Sequence, residues 1–167
     1  MKNDGLELFI RFALGAVERG LCADKWFAME MISYLKDGKG VGLEKKIKDR
    51  FKTAWPQLSK IAEKINKSPL DLETVIIYII GSEDSELDRL SHNSMPLVRN
   101  SYCAVFPGIV AKVSKKFNVI EIKTGMNPET IKFVSFPIEL KKGDKIVYHW
   151  SGVIKKITAS EYRRLSK

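Results

Sequence analysis

The pattern of apolar and polar positions changes character once along the chain, near residue 95. Before that point apolar residues recur every three to four positions, which places them on one face of a helix. Leu6, Phe9, Ile10, Ala13, Leu14 and Val17 form the first such face, with Asp4 as the expected N-cap and Gly20 as the stop. Asp24 is expected to cap a second helix carrying Phe27, Met31 and Leu35 one turn apart. Gly38-Lys39-Gly40-Val41-Gly42 then breaks the pattern. No Gly-Lys-Ser/Thr follows at the spacing of a phosphate-binding loop, so the run reads as a flexible turn. A third helical stretch is expected over Leu43 to Ile65, interrupted or restarted at Pro56, with Ile47, Phe51, Trp55, Leu58, Ile61 and Ile65 on its apolar face. Asp71 to Ile80 reads as fully buried. Its β-branched content fits helix or strand, and its helical neighbours favour a helix. The acidic piece Glu83 to Asp88 leads into His92-Asn93-Ser94-Met95-Pro96, which reads as a linker with His92 inert.

Beyond the linker the runs shorten and become strand-like: Tyr102 to Val105, Ile109 to Val113, Val119 to Ile122, Ile131 to Val134, Ile146 to Trp150 and Val153 to Ile157. Turn signals at Pro107-Gly108, at Gly125-Met126-Asn127-Pro128 and at Lys142-Gly143-Asp144 separate them. Strands this short and numerous predict a small closed barrel, because closure removes exposed edges. Ser160 to Leu165 is expected to add a last helical turn or two. The expected fold class is α+β: an all-helical domain over 1–95, then a small OB- or SH3-like β-barrel over 96–167 with a short C-terminal helix.

Charge sharpens that division. The chain of 167 residues has 29 Lys and Arg against 20 Asp and Glu, a formal charge of +9. Residues 1–95 hold 15 of each sign, whereas residues 96–167 hold 14 basic and 5 acidic side chains. The whole surplus therefore belongs to the predicted barrel. Lys112, Lys115, Lys116, Lys141, Lys142, Lys155 and Lys156 cluster at its loops and strand ends. They read either as solubilising charges on strand edges or as a polyanion-binding surface that tracks the phosphates of RNA or DNA. Aromatics among them, such as Phe117, Phe133 and Tyr148, are candidate stacking platforms for a nucleic-acid partner.

Several classes fall away. The most apolar window, Val75 to Ile80, is too short to cross a bilayer, and the N-terminus lacks the apolar core of a signal peptide. Two cysteines, Cys22 and Cys103, build no disulfide framework, and two histidines give no zinc-finger spacing. No paired carboxylates, nucleophile–base pattern or phosphate loop is present. A non-enzymatic, cytoplasmic protein with no membrane partner is expected. Trp26-Phe27 and Trp55-Pro56 read as packing residues.

Cys103-Ala104-Val105-Phe106-Pro107-Gly108-Ile109-Val110 is the most distinctive segment. It resembles the opening of the HypC/HupF hydrogenase maturation chaperones: Cys, three mostly apolar residues, Pro, Gly, one residue and Val. Gly143-Asp144-Lys145-Ile146-Val147-Tyr148-His149 is similar to that family's Gly-Asp-x-Val-x-Val-His stretch, in the right order. The resemblance covers about residues 100–165 and none of the helical part. It implies a small β-barrel with a C-terminal helix. It also implies that the Cys103 thiolate handles, transiently, an iron carrying carbonyl and cyanide ligands, with His149 nearby and no tightly bound cofactor. The implied partners are a maturation protein and a hydrogenase large subunit, and Pro107-Gly108 would be a turn that fixes the strand start. Two departures stand out. The family's cysteine lies at the very N-terminus, and its glycine two positions after the histidine is Ser151 here.

On the residues alone, Cys103 and His149 also fit burial in the barrel, since free Cys is among the most buried residue types. Cys22, expected just before a helix N-terminus, is a second thiol whose placement the sequence leaves open.

Overall fold

The computed structural model describes residues 3–18, 25–95, 98, 104–114, 119–124, 127–134, 138–149 and 152–167. The chain divides into two compact units, Met1–Ala104 and Val105–Lys167, a few residues later than the change in periodicity near residue 95. It is an α+β protein with its helices first, then a β-sheet, then a C-terminal helix.

In the first unit, helix α1 spans Asp4–Glu18 and α2 spans Lys25–Asp37. The cap of α1 is Asn3 rather than Asp4. The Asn3 Oδ1 accepts from the amides of Gly5 at 3.0 Å and Leu6 at 3.1 Å, and Asp4 sits in the first turn, where its charge favours the helix dipole. The expected stop at Gly20 and cap at Asp24 lie outside the described residues. After α2, Gly38 and Gly42 turn the chain at φ 69° and 70°, a region costly for any residue with a Cβ.

The third helical stretch is two helices, α3 (Leu43–Arg50) and α4 (Ala54–Ile65), and the break precedes Pro56. Pro56 lies within the first turn of α4, where its missing N–H interrupts no intrahelical bond. Asp71 caps α5 (Leu72–Ile80) by accepting from the Glu73 amide, so the buried segment is a helix. A short α6 (Ser85–Asp88) follows, capped by Asp84.

The core of this unit is mainly aliphatic, with a cluster of rings inside it. Phe9 meets Phe51 edge-on at 5.3 Å, and Phe12 meets Tyr78 at 5.7 Å. His92, expected to be an inert linker residue, belongs to this core. It is 9% exposed, its ring lies 4.7 Å from that of Phe12, and its Nδ1 is 3.4 Å from the Tyr78 hydroxyl. The chain around it forms a 3-10 turn, and the Ser94 hydroxyl donates to the Asp88 carbonyl at 2.7 Å. Polar composition made the segment look like a linker, but its polar groups are satisfied locally. Trp26, read as packing, is 76% exposed, whereas its neighbour Phe27 is buried.

The second unit holds strands β1 (Phe106–Ser114), β2 (Val119–Thr124), β3 (Asn127–Val134), β4 (Lys145–His149) and β5 (Gly152–Lys156). They pair antiparallel in the order β3–β2–β1–β4–β5, and β3 also meets β5 at one parallel position, Val134 with Gly152. Helix α7 (Ala159–Leu165) packs against β1 and β4. Its start is a capping box. The Thr158 hydroxyl accepts from the Glu161 amide at 3.1 Å, and the Glu161 carboxylate accepts from the Thr158 amide at 2.6 Å. Val110, Ile122, Ile146, Tyr148 and Val153 form the buried cluster, with Val113, Ile138 and Leu140 packed against it. No helix among the described residues is long and apolar enough to cross a membrane.

Candidate functional site

The two motif segments, far apart in sequence, lie on adjacent strands. Phe106 pairs with Tyr148, Pro107 with Val147, Gly108 with Ile146 and Ile109 with Lys145. Pro107-Gly108 is therefore not a turn but the opening of β1. Among the described residues this end of β1 pairs with β4, and its ladder with β2 begins at Ile109, so Pro107 sits at the start of a strand, where proline is tolerated. Gly108 is required by close approach. A Cβ there would lie 2.3 Å from the Ile122 Cγ2 and 3.3 Å from the Tyr148 ring.

Gly143 and Asp144 form the turn that enters β4. Gly143 takes φ 91°, its amide donates to the Val110 carbonyl, and the Val110 amide donates to the Asp144 carbonyl, both at 2.9 Å. The Asp144 carboxylate accepts from the Lys141 amide at 3.0 Å and pairs with Lys156 at 2.9 Å. Burial pushes this carboxyl up. The Lys141 amide and the hydrogen bond and charge of Lys156 outweigh that, and hold it below the ordinary value. Asp144 is thus a clamp on the turn.

His149 is the last residue of β4 and is 3% exposed. Alternation sets it with Val147 on the face opposite Ile146 and Tyr148, so β4 is buried on both faces. Burial, with a smaller contribution from Tyr162, raises the Tyr148 hydroxyl pKa. The Phe106 ring lies 5.9 Å from that of Tyr148 and is 39% exposed. Cys103 and Cys22 lie outside the described residues. Among the described residues, no three of His, Cys, Asp and Glu come together as a metal-ligand group.

The seven lysines do not act alike. Lys156 is held by Asp144, and Lys155 is 3.3 Å from Glu161. Burial pushes the Glu161 carboxyl up, but the Thr158 amide and the Lys155 charge prevail and lower it. Lys115 and Lys116 lie outside the described residues. Lys112, Lys141 and Lys142 are exposed, have no carboxylate partner among the described residues, and line one open groove of about 620 Å³. Ala111, Val113, Leu140 and Glu121 complete its walls. Sequence reading passed over Val113 and Leu140 here. The only signal was that each lies next to a lysine in a segment otherwise read for strands or turns.

Comparison with protein-family models, curated proteins and solved structures gives no match.

Proposed function

We propose that Val105–Lys167 is a small OB-like barrel that acts, with the cysteine just ahead of it, as a non-enzymatic maturation chaperone. It receives or passes an iron unit carrying carbonyl and cyanide ligands, together with a partner protein. The observation that carries this reading is the β1–β4 register. Phe106 pairs with Tyr148, so the two segments that carry the resemblance run side by side, and His149 follows Tyr148. The strand order β1–β2–β3–β5–β4, with one β3–β5 pairing, supports the barrel reading.

The chemistry follows from the donor set. A cysteine thiolate is a soft ligand suited to low-valent iron bearing π-acceptor ligands, and binding releases the thiol proton. His149 supplies an imidazole nitrogen whose backbone is fixed by the β4 ladder. The iron unit is cargo rather than a resident cofactor.

The test is ferrous iron binding at equilibrium by the anaerobically purified full chain. The wild type and Cys22→Ala should bind iron in equilibrium dialysis, and Cys103→Ala should bind it at least about tenfold more weakly. Equal binding by Cys103→Ala would overturn the proposal.

A further inference from the structure

The groove of Lys112, Lys141 and Lys142 plays no part in that reading. We infer that it docks an acidic segment of a protein partner, one in which carboxylates alternate with aliphatic side chains. This does not rest on the iron chemistry, because the groove is complete without Cys103 or His149.

The groove joins the end of β1 to the segment that enters β4. Its apolar walls, Val113 and Leu140, also pack against the buried cluster, so they form a fixed surface. Its lysines stand on constrained backbone. Lys112 lies within the β1–β2 ladder opposite Glu121, and Lys141 is tied to Asp144 by its amide at 3.0 Å and its carbonyl at 3.1 Å. Three lysines against one glutamate leave the lining positive. Carboxylates meet the ammonium groups, and an aliphatic side chain between them covers Val113 and Leu140.

The same charge attracts a nucleic-acid backbone, but two observations favour the peptide. The described lining contains no aromatic ring on which a base can stack. Val113 and Leu140 also give an aliphatic side chain an apolar surface to cover, which a phosphate backbone would leave exposed.

Fluorescence anisotropy of the full chain tests the assignment with three labelled probes: a short peptide alternating Glu and Leu, an all-Glu peptide of equal length, and single-stranded oligothymidylate. The Glu/Leu peptide should bind most tightly, weaken as salt rises, and lose at least about tenfold in affinity in the Lys141→Glu/Lys142→Glu variant. Amide shift mapping on the unsubstituted chain provides a second readout and should show perturbations at Lys112, Val113 and Leu140 to Lys142. Tighter binding of oligothymidylate that is lost in the same variant would assign the groove to nucleic acid and overturn the inference. So would unchanged peptide affinity in the variant, shifts confined elsewhere, or no peptide binding at low salt.

Discussion

The two units use their carboxylates differently. In the helical unit the signs nearly balance, and cross-links such as Lys46–Glu30 at 2.7 Å and Lys64–Glu86 at 2.6 Å tie exposed positions together. In the β unit the two described carboxylates that pair with lysines also hold backbone. Asp144 fixes the turn before β4, and Glu161 fixes the start of α7. With Asp144 and Glu161 occupied in this way, Lys112, Lys141 and Lys142 make no ion pair among the described residues, so part of the surplus is gathered on one surface. Both cores are mainly aliphatic, and the helical unit adds a cluster of rings that includes His92. One unit has its charge balanced around a closed core, and the other presents charge outward.

Substitutions can break this contrast one unit at a time. The largest effect is expected from Gly5→Ala. Its Cβ would lie 2.1 Å from the Leu70 carbonyl oxygen and 2.6 Å from the Asp71 carbonyl carbon, and backbone cannot step aside as a side chain can. A loss of about 3 kcal/mol, confined to the helical unit, should appear in urea unfolding followed by far-UV circular dichroism.

Gly108→Ala presses on the Ile122 side chain, which can yield in part, so about 2 kcal/mol is expected in the β unit. Hydrogen exchange at β1 and β2 amides would locate the damage. His92→Ala should cost about 2 kcal/mol in the helical unit, since it empties a packed aromatic site. A linker residue would cost almost nothing, and the unfolding midpoint separates the two cases.

The smallest effect is pH-dependent. The Asp144 carboxyl is depressed in the folded state. Its stabilising contribution is therefore complete above the unfolded value of about 4 and is lost as pH falls through the folded one. Asp144→Asn should cost about 1 kcal/mol at neutral pH and flatten the acid limb of the β unit's stability. In the helical unit, the Lys64 hydrogen bond and charge depress Glu86, and the Leu87 and Glu86 amides depress Asp84. Both groups are solvent-facing, so its acid limb should be shallower. Stability measured at stepped pH compares the two.

What the sequence revealed depended on which forces act locally. The faces of α1 and α2 and five of the six expected strand runs follow from local pattern. Ala104 and Val105 of the sixth, Tyr102 to Val105, are not in a strand, and the rest of it lies outside the described residues. The helical reading of α5 rests on its neighbours, because its run is apolar nearly all round. Asn3 and Asp4 are adjacent residues of equal capping ability, so only the folded geometry selects between them. Pro56 and Pro107 were each read as punctuation. One falls within a helix's first turn and the other at the start of a strand, both places where a missing N–H is tolerated. The order of the motif segments was legible, but their adjacency was not, because strand register is a long-range property. The lysine groove was invisible for the same reason: composition counts charges and does not tell which carboxylates are already taken.

The central claim is the proposal that Cys103 and His149 serve one metal-handling site. Cobalt(II) titration of the anaerobic full chain tests it directly, because a thiolate ligand gives a charge-transfer band and nitrogen ligation tunes the d–d bands. The account predicts a charge-transfer band that survives in Cys22→Ala and disappears in Cys103→Ala, with d–d bands that shift in His149→Gln. A band that persists in Cys103→Ala, or d–d bands unmoved by His149→Gln, would contradict it.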